Sequence, residues 1–298
     1  MFAQRKEPLI VGVNRRVWCE LRLDCHSMTR ARITRGYLAG KFGQLHYRYC
    51  GDNSGEPLLL LHQSPLSSIQ FEAVMPGLAQ EGFAVLAIDM PGFGMSDVAP
   101  EEATLEDFAS LIDSGLQHMG WASAHVVGHH TGAVLAAVHA ERAPEQFRKL
   151  VLNGFPLLGD AEREHFASFY FGPKDPQPDG SHLLTAWQNR LRSTPGWTDI
   201  RLMHRYTVEA LHRDGSNWRA FPLVISADLA ALLQRLPIKA LMFTNSGEDL
   251  YESTRRAYAL RPNFFEYKEL EGGSHDIVDE QPQAWTEAIV SYLRAEAK

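Results

Sequence analysis

The sequence predicts an α/β protein: a mostly parallel sheet with helices on both faces and a helical insertion late in the chain. Three observations predict it. From Met28 onward, short apolar runs alternate with helical stretches of ten or more residues. One run passes directly into Gly128-His129-His130-Thr131-Gly132, a two-glycine turn between a strand and a helix. Between residues 156 and 236 the alternation stops, and aromatic-rich helical stretches replace it.

The elements follow in order. Residues 33–38 and 45–50 alternate apolar and polar side chains around a glycine turn at 40–43, which predicts an antiparallel hairpin at a sheet edge. Residues 57–61 form a continuous apolar run of the fully buried, parallel type. A helix over 68–80 and a strand over 84–88 follow. Thr104 with Asp107 three residues later predicts a capped helix start, running to about residue 118. Strands at 125–127 and 150–152 flank an alanine-rich helix that ends near residue 141. After the insertion, a strand at 239–243, a helix at 252–260, a strand at 264–270 and a helix at 284–295 complete the pattern. The expected organisation is an N-terminal extension over 1–27, a core over 28–155 and 237–298, and a helical cap over 156–236. Met28 offers itself as an alternative start.

Composition excludes several classes. The 298 residues are 45% hydrophobic and 22% charged, with a net charge of −7, so no basic footprint for nucleic acid is expected. The longest apolar runs fall far short of the roughly 20 residues that span a bilayer. Three cysteines, Cys19, Cys25 and Cys50, lack metal-ligand spacing and leave one unpaired under any disulfide scheme. Together with an N-terminus lacking a secretory signal, they imply a cytoplasmic protein. No repeat or heptad suggests a structural module, and the expected partner is a small-molecule substrate, with a homodimer possible.

The two-glycine turn carries the functional argument. A chain that passes sharply from strand to helix forces its central residue into a strained conformation, and flanking glycines keep other Cβ atoms clear. Leu60-Leu61-His62-Gln63-Ser64-Pro65, Asp89-Met90-Pro91-Gly92-Phe93-Gly94-Met95-Ser96-Asp97, Asn245-Ser246-Gly247-Glu248-Asp249 and Gly272-Gly273-Ser274-His275 stand in order around it. Together these segments resemble the α/β-hydrolase fold superfamily over about residues 30–298. The resemblance implies a nucleophile at position 130, an acid near 249 and a histidine at 275, with the backbone N–H groups of Ser64 and Thr131 as the oxyanion hole. Two residues depart from it: His130 replaces the usual serine, aspartate or cysteine, and Gln63 replaces a glycine.

The expected catalytic set is therefore His130, His275 and Asp249, with Asp249 preferred over Glu248 from its spacing to the strand end. His130 could attack a carbonyl, act with His275 as a base on water, or only bind substrate. Gln63, His129, Trp187 and Trp218 are expected to bind substrate, and Ser96 to stabilise its own loop. Neither a metal nor a cofactor is expected, because the four nearby histidines come from separate loops without short paired spacings. The expected activity is hydrolysis of a small apolar or ring-containing ester, lactone or thioester, with a C–C bond also possible. The aspartate apex of epoxide hydrolases and dehalogenases in that superfamily argues against those two reactions. The alternative is a lyase or ligand-binding protein that keeps the pocket without the nucleophile.

Overall fold

The glycine turn at 40–43 closes a hairpin whose strands, β1 (Thr34–Gly40) and β2 (Gly43–Cys50), pair antiparallel. The structure, a computed structural model, describes residues 31–168, 176–197 and 199–296. The expected N-terminal extension, Cys19, Cys25 and the insertion's Phe169 and Tyr170 lie outside the described residues.

Next come β3 (Glu56–Leu61), a 3-10 turn over Ser68–Phe71, α1 (Met75–Gln80) and β4 (Phe83–Ile88). The single helix expected over 68–80 is two pieces, because Pro76 stands in the first turn of α1, where a missing N–H is tolerated and a new helix begins. Likewise the helix expected from Thr104 breaks at Ser110 into α2 (Leu105–Ala109) and α3 (Leu111–Met119), with the Thr104–Asp107 capping box formed. Then follow β5 (Ala124–His129), α4 (Thr131–Arg142) and β6 (Phe147–Asn153).

Between β6 and the next strand the described residues include the α-helices α5 (Asp160–Ser168), α6 (Ser181–Ser193), α7 (Ile200–Leu211), α8 (Ala220–Ser226) and α9 (Leu229–Arg235). The core resumes with β7 (Ala240–Asn245), α10 (Tyr251–Ala259) and β8 (Glu266–Leu270), then α11 (Ile277–Glu280) and α12 (Pro282–Arg294). No described helix is long and apolar enough to cross a membrane.

The eight strands form one sheet in the order β1-β2-β4-β3-β5-β6-β7-β8, parallel from β4 through to β8. Alternate side chains of each strand enter opposite cores, as the two-residue period requires. On β3, Leu59 and Leu61 join a cluster covered by α2, α3, α4, α8 and α9. Leu58 and Leu60 join the opposite cluster, with Phe71 and with Trp285 and Ile289 of α12. All four leucines are fully buried, and truncating any one to alanine costs about 2–5 kcal/mol. Because β3 and β5 to β8 run the same way, the loops after β3, β5, β7 and β8 converge at one sheet edge.

Candidate active site

The turn from β5 into α4 is built by close backbone approach. A Cβ on Gly128 would stand 2.3 Å from the carbonyl oxygen of Gly132, and one on Gly132 would stand 2.2 Å from that of Leu61. Neither neighbour is a side chain that could swing away, so both positions require glycine. Between them His130 has φ 49° and ψ −108°, and among the described residues it alone has positive φ without being glycine. Such a conformation costs on the order of 1–3 kcal/mol. Backbone hydrogen bonds hold it: His130 N–H donates to Asn153 O at 2.8 Å, and His130 O accepts from the N–H groups of Ala133 and Val134 at 3.0 and 3.2 Å.

The imidazole of His130 points toward the loop after β7. Its Nε2 lies 2.7 Å from Oε2 of Glu248, whose side chain is fully buried and whose Oε1 accepts a hydrogen bond from the Thr244 hydroxyl. Burial raises the Glu248 carboxyl to about 7, against the Thr244 hydrogen bond that favours its ionised form. Burial likewise lowers His130, to about 3. Room for this pair comes from Gly154, where a Cβ would lie 2.1 Å from His130 Cδ2 and 3.0 Å from Glu248 Oε2.

His275 follows β8, and its ring centroid lies 4.4 Å from that of His130, in an edge-to-face arrangement. It is partly buried, and burial followed by the neighbouring His130 holds it well below the usual histidine range. Its Nδ1 has no hydrogen-bond partner. Asp249, expected behind it, is instead exposed, so the carboxylate beneath the histidines is Glu248's and it meets His130. One residue of loop separates Asp249 from the carboxylate that meets His130, a shift that strand-end spacing cannot resolve.

Ser64 and Thr131, expected as the oxyanion pair, stand side by side: the Ser64 N–H donates to Thr131 Oγ1 at 3.4 Å, and the Thr131 hydroxyl donates to Ser64 Oγ at 3.1 Å. Thr131 opens α4, where the first N–H groups have no partner inside the helix. Both residues, with His130 and His275, line a cavity of about 120 Å³ between the sheet edge and the insertion. Its walls are mostly apolar, among them Leu66, Leu158, Phe166, Trp218 and Phe221.

Three residues expected to bind substrate do not line this cavity. Gln63 is buried, and its amide donates to Asp276 Oδ1 at 3.2 Å, tying the loop after β3 to the loop of His275. His129 is buried beside His130, its ring centroid 4.0 Å away, with Nδ1 against the Gln70 amide. Trp187 is partly buried in α6, outside the lining, whereas Trp218 belongs to it. His62 accepts the Met90 N–H on Nε2 and donates from Nδ1 to Gln63 O, both at 2.9 Å, so it serves loop structure. Ser96 does the same, donating to Asp89 O at 2.8 Å and accepting from His46 N–H at 2.9 Å.

Sequence reasoning missed Arg190, a buried arginine of α6 that lines the cavity and meets the Asp276 carboxylate beside His275. Burial lowers its guanidinium to about 10. Its signal was faint: one of two arginines in the last turn of an otherwise ordinary amphipathic helix. Also unforeseen was proximity in space without proximity in sequence. One donor atom each from His129, His130 and Glu248 lie within 4.8 Å of one another, a grouping that ligand spacing along the chain could not reveal.

Comparison with known proteins places these observations. A family model described as the alpha/beta hydrolase fold matches residues 56–221, more than half of the chain. Bifunctional epoxide hydrolase 2 of Sus scrofa is 35% identical over 129 residues, which are 42% of this chain and 23% of that protein. A proline iminopeptidase of Clostridium botulinum is 29% identical over 153 residues, 49% of this chain and 52% of that one. The chain thus matches between a quarter and about half the length of these relatives. Among solved structures, the enol-lactonase of Burkholderia xenovorans LB400 superposes with a TM-score of 0.72 at 19% identity, over 87% of this chain and all of that one, a likeness of fold.

Proposed function

Because the chain belongs to the alpha/beta hydrolase fold family, we propose that it hydrolyses a small, largely apolar ester, lactone or thioester, with His130 as the base. The observation that carries this reading is the buried contact of 2.7 Å between His130 Nε2 and Glu248 Oε2 on the floor of an apolar cavity. An ionised Glu248 accepts the Nε2 hydrogen and fixes the tautomer, leaving the lone pair on Nδ1. That is the carboxylate–imidazole half of a triad, with the histidine itself standing at the strained apex.

Nδ1 then takes a proton from a water as its oxygen attacks the substrate carbonyl. The backbone N–H of Thr131, and that of Ser64 once released from Thr131 Oγ1, receive the developing oxyanion. When the tetrahedral intermediate collapses, the imidazolium returns the proton to the leaving oxygen, and no covalent enzyme intermediate forms. His275, at the cavity wall beside His130, supplies a second imidazole to hydrogen-bond the leaving group. Its like-charge proximity to His130 keeps both from being protonated together. An apolar wall that includes Trp218 and Phe221 suits a hydrophobic or ring-containing substrate.

The test is turnover of activated aryl esters of varied acyl chain, in chelator, by the wild-type chain, His130→Ala and His275→Ala. Loss of the base is expected to lower kcat/KM on the order of 10²–10⁴-fold in His130→Ala. Full activity in His130→Ala with loss in His275→Ala assigns the base to His275 and overturns the reading. No turnover of any acyl ester by the wild-type chain favours the lyase or binding-protein alternative.

A further inference from the structure

We propose that His129, His130 and Glu248 form a binding site for one divalent transition ion of the zinc class. All three side chains are buried, and one donor atom from each lies within 4.8 Å of the other two. Two imidazoles and one carboxylate are a donor set suited to zinc and its first-row neighbours, with a further position left open to water or substrate. Donors around a tetrahedral ion stand about 3.4 Å apart when each bond is about 2.0–2.1 Å. Capture therefore asks the His130–Glu248 pair, now 2.7 Å apart, to open slightly and the third donor to move inward.

An independent observation points to a ligand. Nε2 of His129 is fully buried and, like one nitrogen each of His125, His139 and His275, has no hydrogen-bond partner, which leaves it available to a ligand. The surroundings are those of a supported metal site. The other nitrogen of His129 meets the Gln70 side chain, and the second oxygen of Glu248 is held by Thr244. Such outer partners orient ligands toward an ion. Coordination through His129 Nε2 leaves the ring proton on Nδ1, so the Gln70 amide must turn over and give up the Gln63 N–H that its oxygen now accepts at 3.1 Å. Of the three, His130 lines the cavity, where His275 presents its ring 4.4 Å from that of His130.

This inference shares its side chains with the proposed hydrolytic site but does not need its chemistry. An ion on His130 Nε2 displaces the hydrogen that Glu248 accepts, so ion and dyad are alternative uses of one nitrogen. The ion is counted on the resting chain without substrate, whereas the dyad is tested by turnover in chelator. Either can fail alone.

The experiment titrates the chelator-stripped full chain with zinc chloride by calorimetry, and with cobalt(II) by visible absorption. One saturable ion per chain is expected, with the intense ligand-field bands of four-coordinate cobalt(II). Glu248→Gln and His129→Gln should each weaken binding by about 100-fold or more, while His204→Ala, on an exposed face of α7, should not. The cobalt spectrum of the wild-type chain needs no variant, so it decides the matter even if a substitution prevents folding. The absence of saturable binding, a six-coordinate cobalt spectrum, or affinity unchanged in both ligand variants overturns the proposal.

Discussion

At position 130 the backbone and the side chain make separate demands, and one glycine elsewhere reconciles them. The positive φ of His130 is held by hydrogen bonds to β6 and α4, while its ring needs the space that Gly154 leaves beside Glu248. Gly154→Ala should therefore push the ring off Glu248 and cost about 10²-fold in turnover, the usual consequence of misplacing a reacting group by about 1 Å. Gly120→Ala is the matched control, since Gly120 also has positive φ (68°) but a Cβ there meets nothing within 4 Å. It should cost about 1 kcal/mol of stability and leave turnover unchanged. A steady-state assay with thermal melts of both variants separates the two. Equal turnover in both would show that the ring does not need its present place.

The helices of the insertion are tied to the core by polar contacts whose charge states are shifted. In α7, Arg205 donates to Glu72 at 2.6 Å, and Arg48 of β2 donates to the same carboxylate at 2.8 Å. Burial alone would raise Glu72, but the two guanidiniums outweigh it and hold it at about 2. A depressed folded pKa stabilises above the unfolded value, near 4.5, and that stability is lost as pH falls from there toward 2. Glu72→Gln should cost about 2 kcal/mol at neutral pH, with the cost shrinking on acidification; melting curves of both chains from pH 7 to pH 3 measure this. A cost that stays constant across that range would show that the charge is irrelevant. Elements were also where sequence reading worked best. The alternating run of β2, the apolar run of β3 and the glycines of the 128–132 turn each record a local constraint. Proline and serine breaks inside the helices at 68–80 and 104–118 escaped it, as did α11, because short helices leave no periodic signal. At the site, the placement of His130, His275, Ser64 and Thr131 around one cavity was legible because strand ends fix it. Which carboxylate meets His130 was not, since Glu248 and Asp249 differ only in how a loop turns after β7. Gln63 and His129 looked like substrate contacts because a sequence shows adjacency and cannot show which way a side chain faces.

For the whole molecule, a second tie between the insertion and the core has the opposite pH dependence. The Tyr206 hydroxyl of α7 donates to Asp279 of α11, and burial raises that carboxyl to about 7. The folded chain then holds a proton that the unfolded chain releases near 3.8, so this contribution declines as pH rises from about 4 to 7 and is constant above. Asp279→Asn should raise the melting temperature above pH 7 by a few degrees, about what 1–2 kcal/mol does for a domain of this size. The gain should vanish near pH 4; a gain independent of pH would remove the titration from the account. The insertion so held borders an apolar cavity at one sheet edge, and the reaction proposed for that cavity depends on a single carboxylate–imidazole contact. The most direct measurement is kcat/KM for a turned-over aryl ester in Glu248→Gln beside Asp249→Asn. The account predicts a fall on the order of 10³–10⁴ for Glu248→Gln, the scale of losing the carboxylate that fixes a catalytic tautomer, and a change of less than about twofold for Asp249→Asn. Full activity in Glu248→Gln with loss in Asp249→Asn would contradict it.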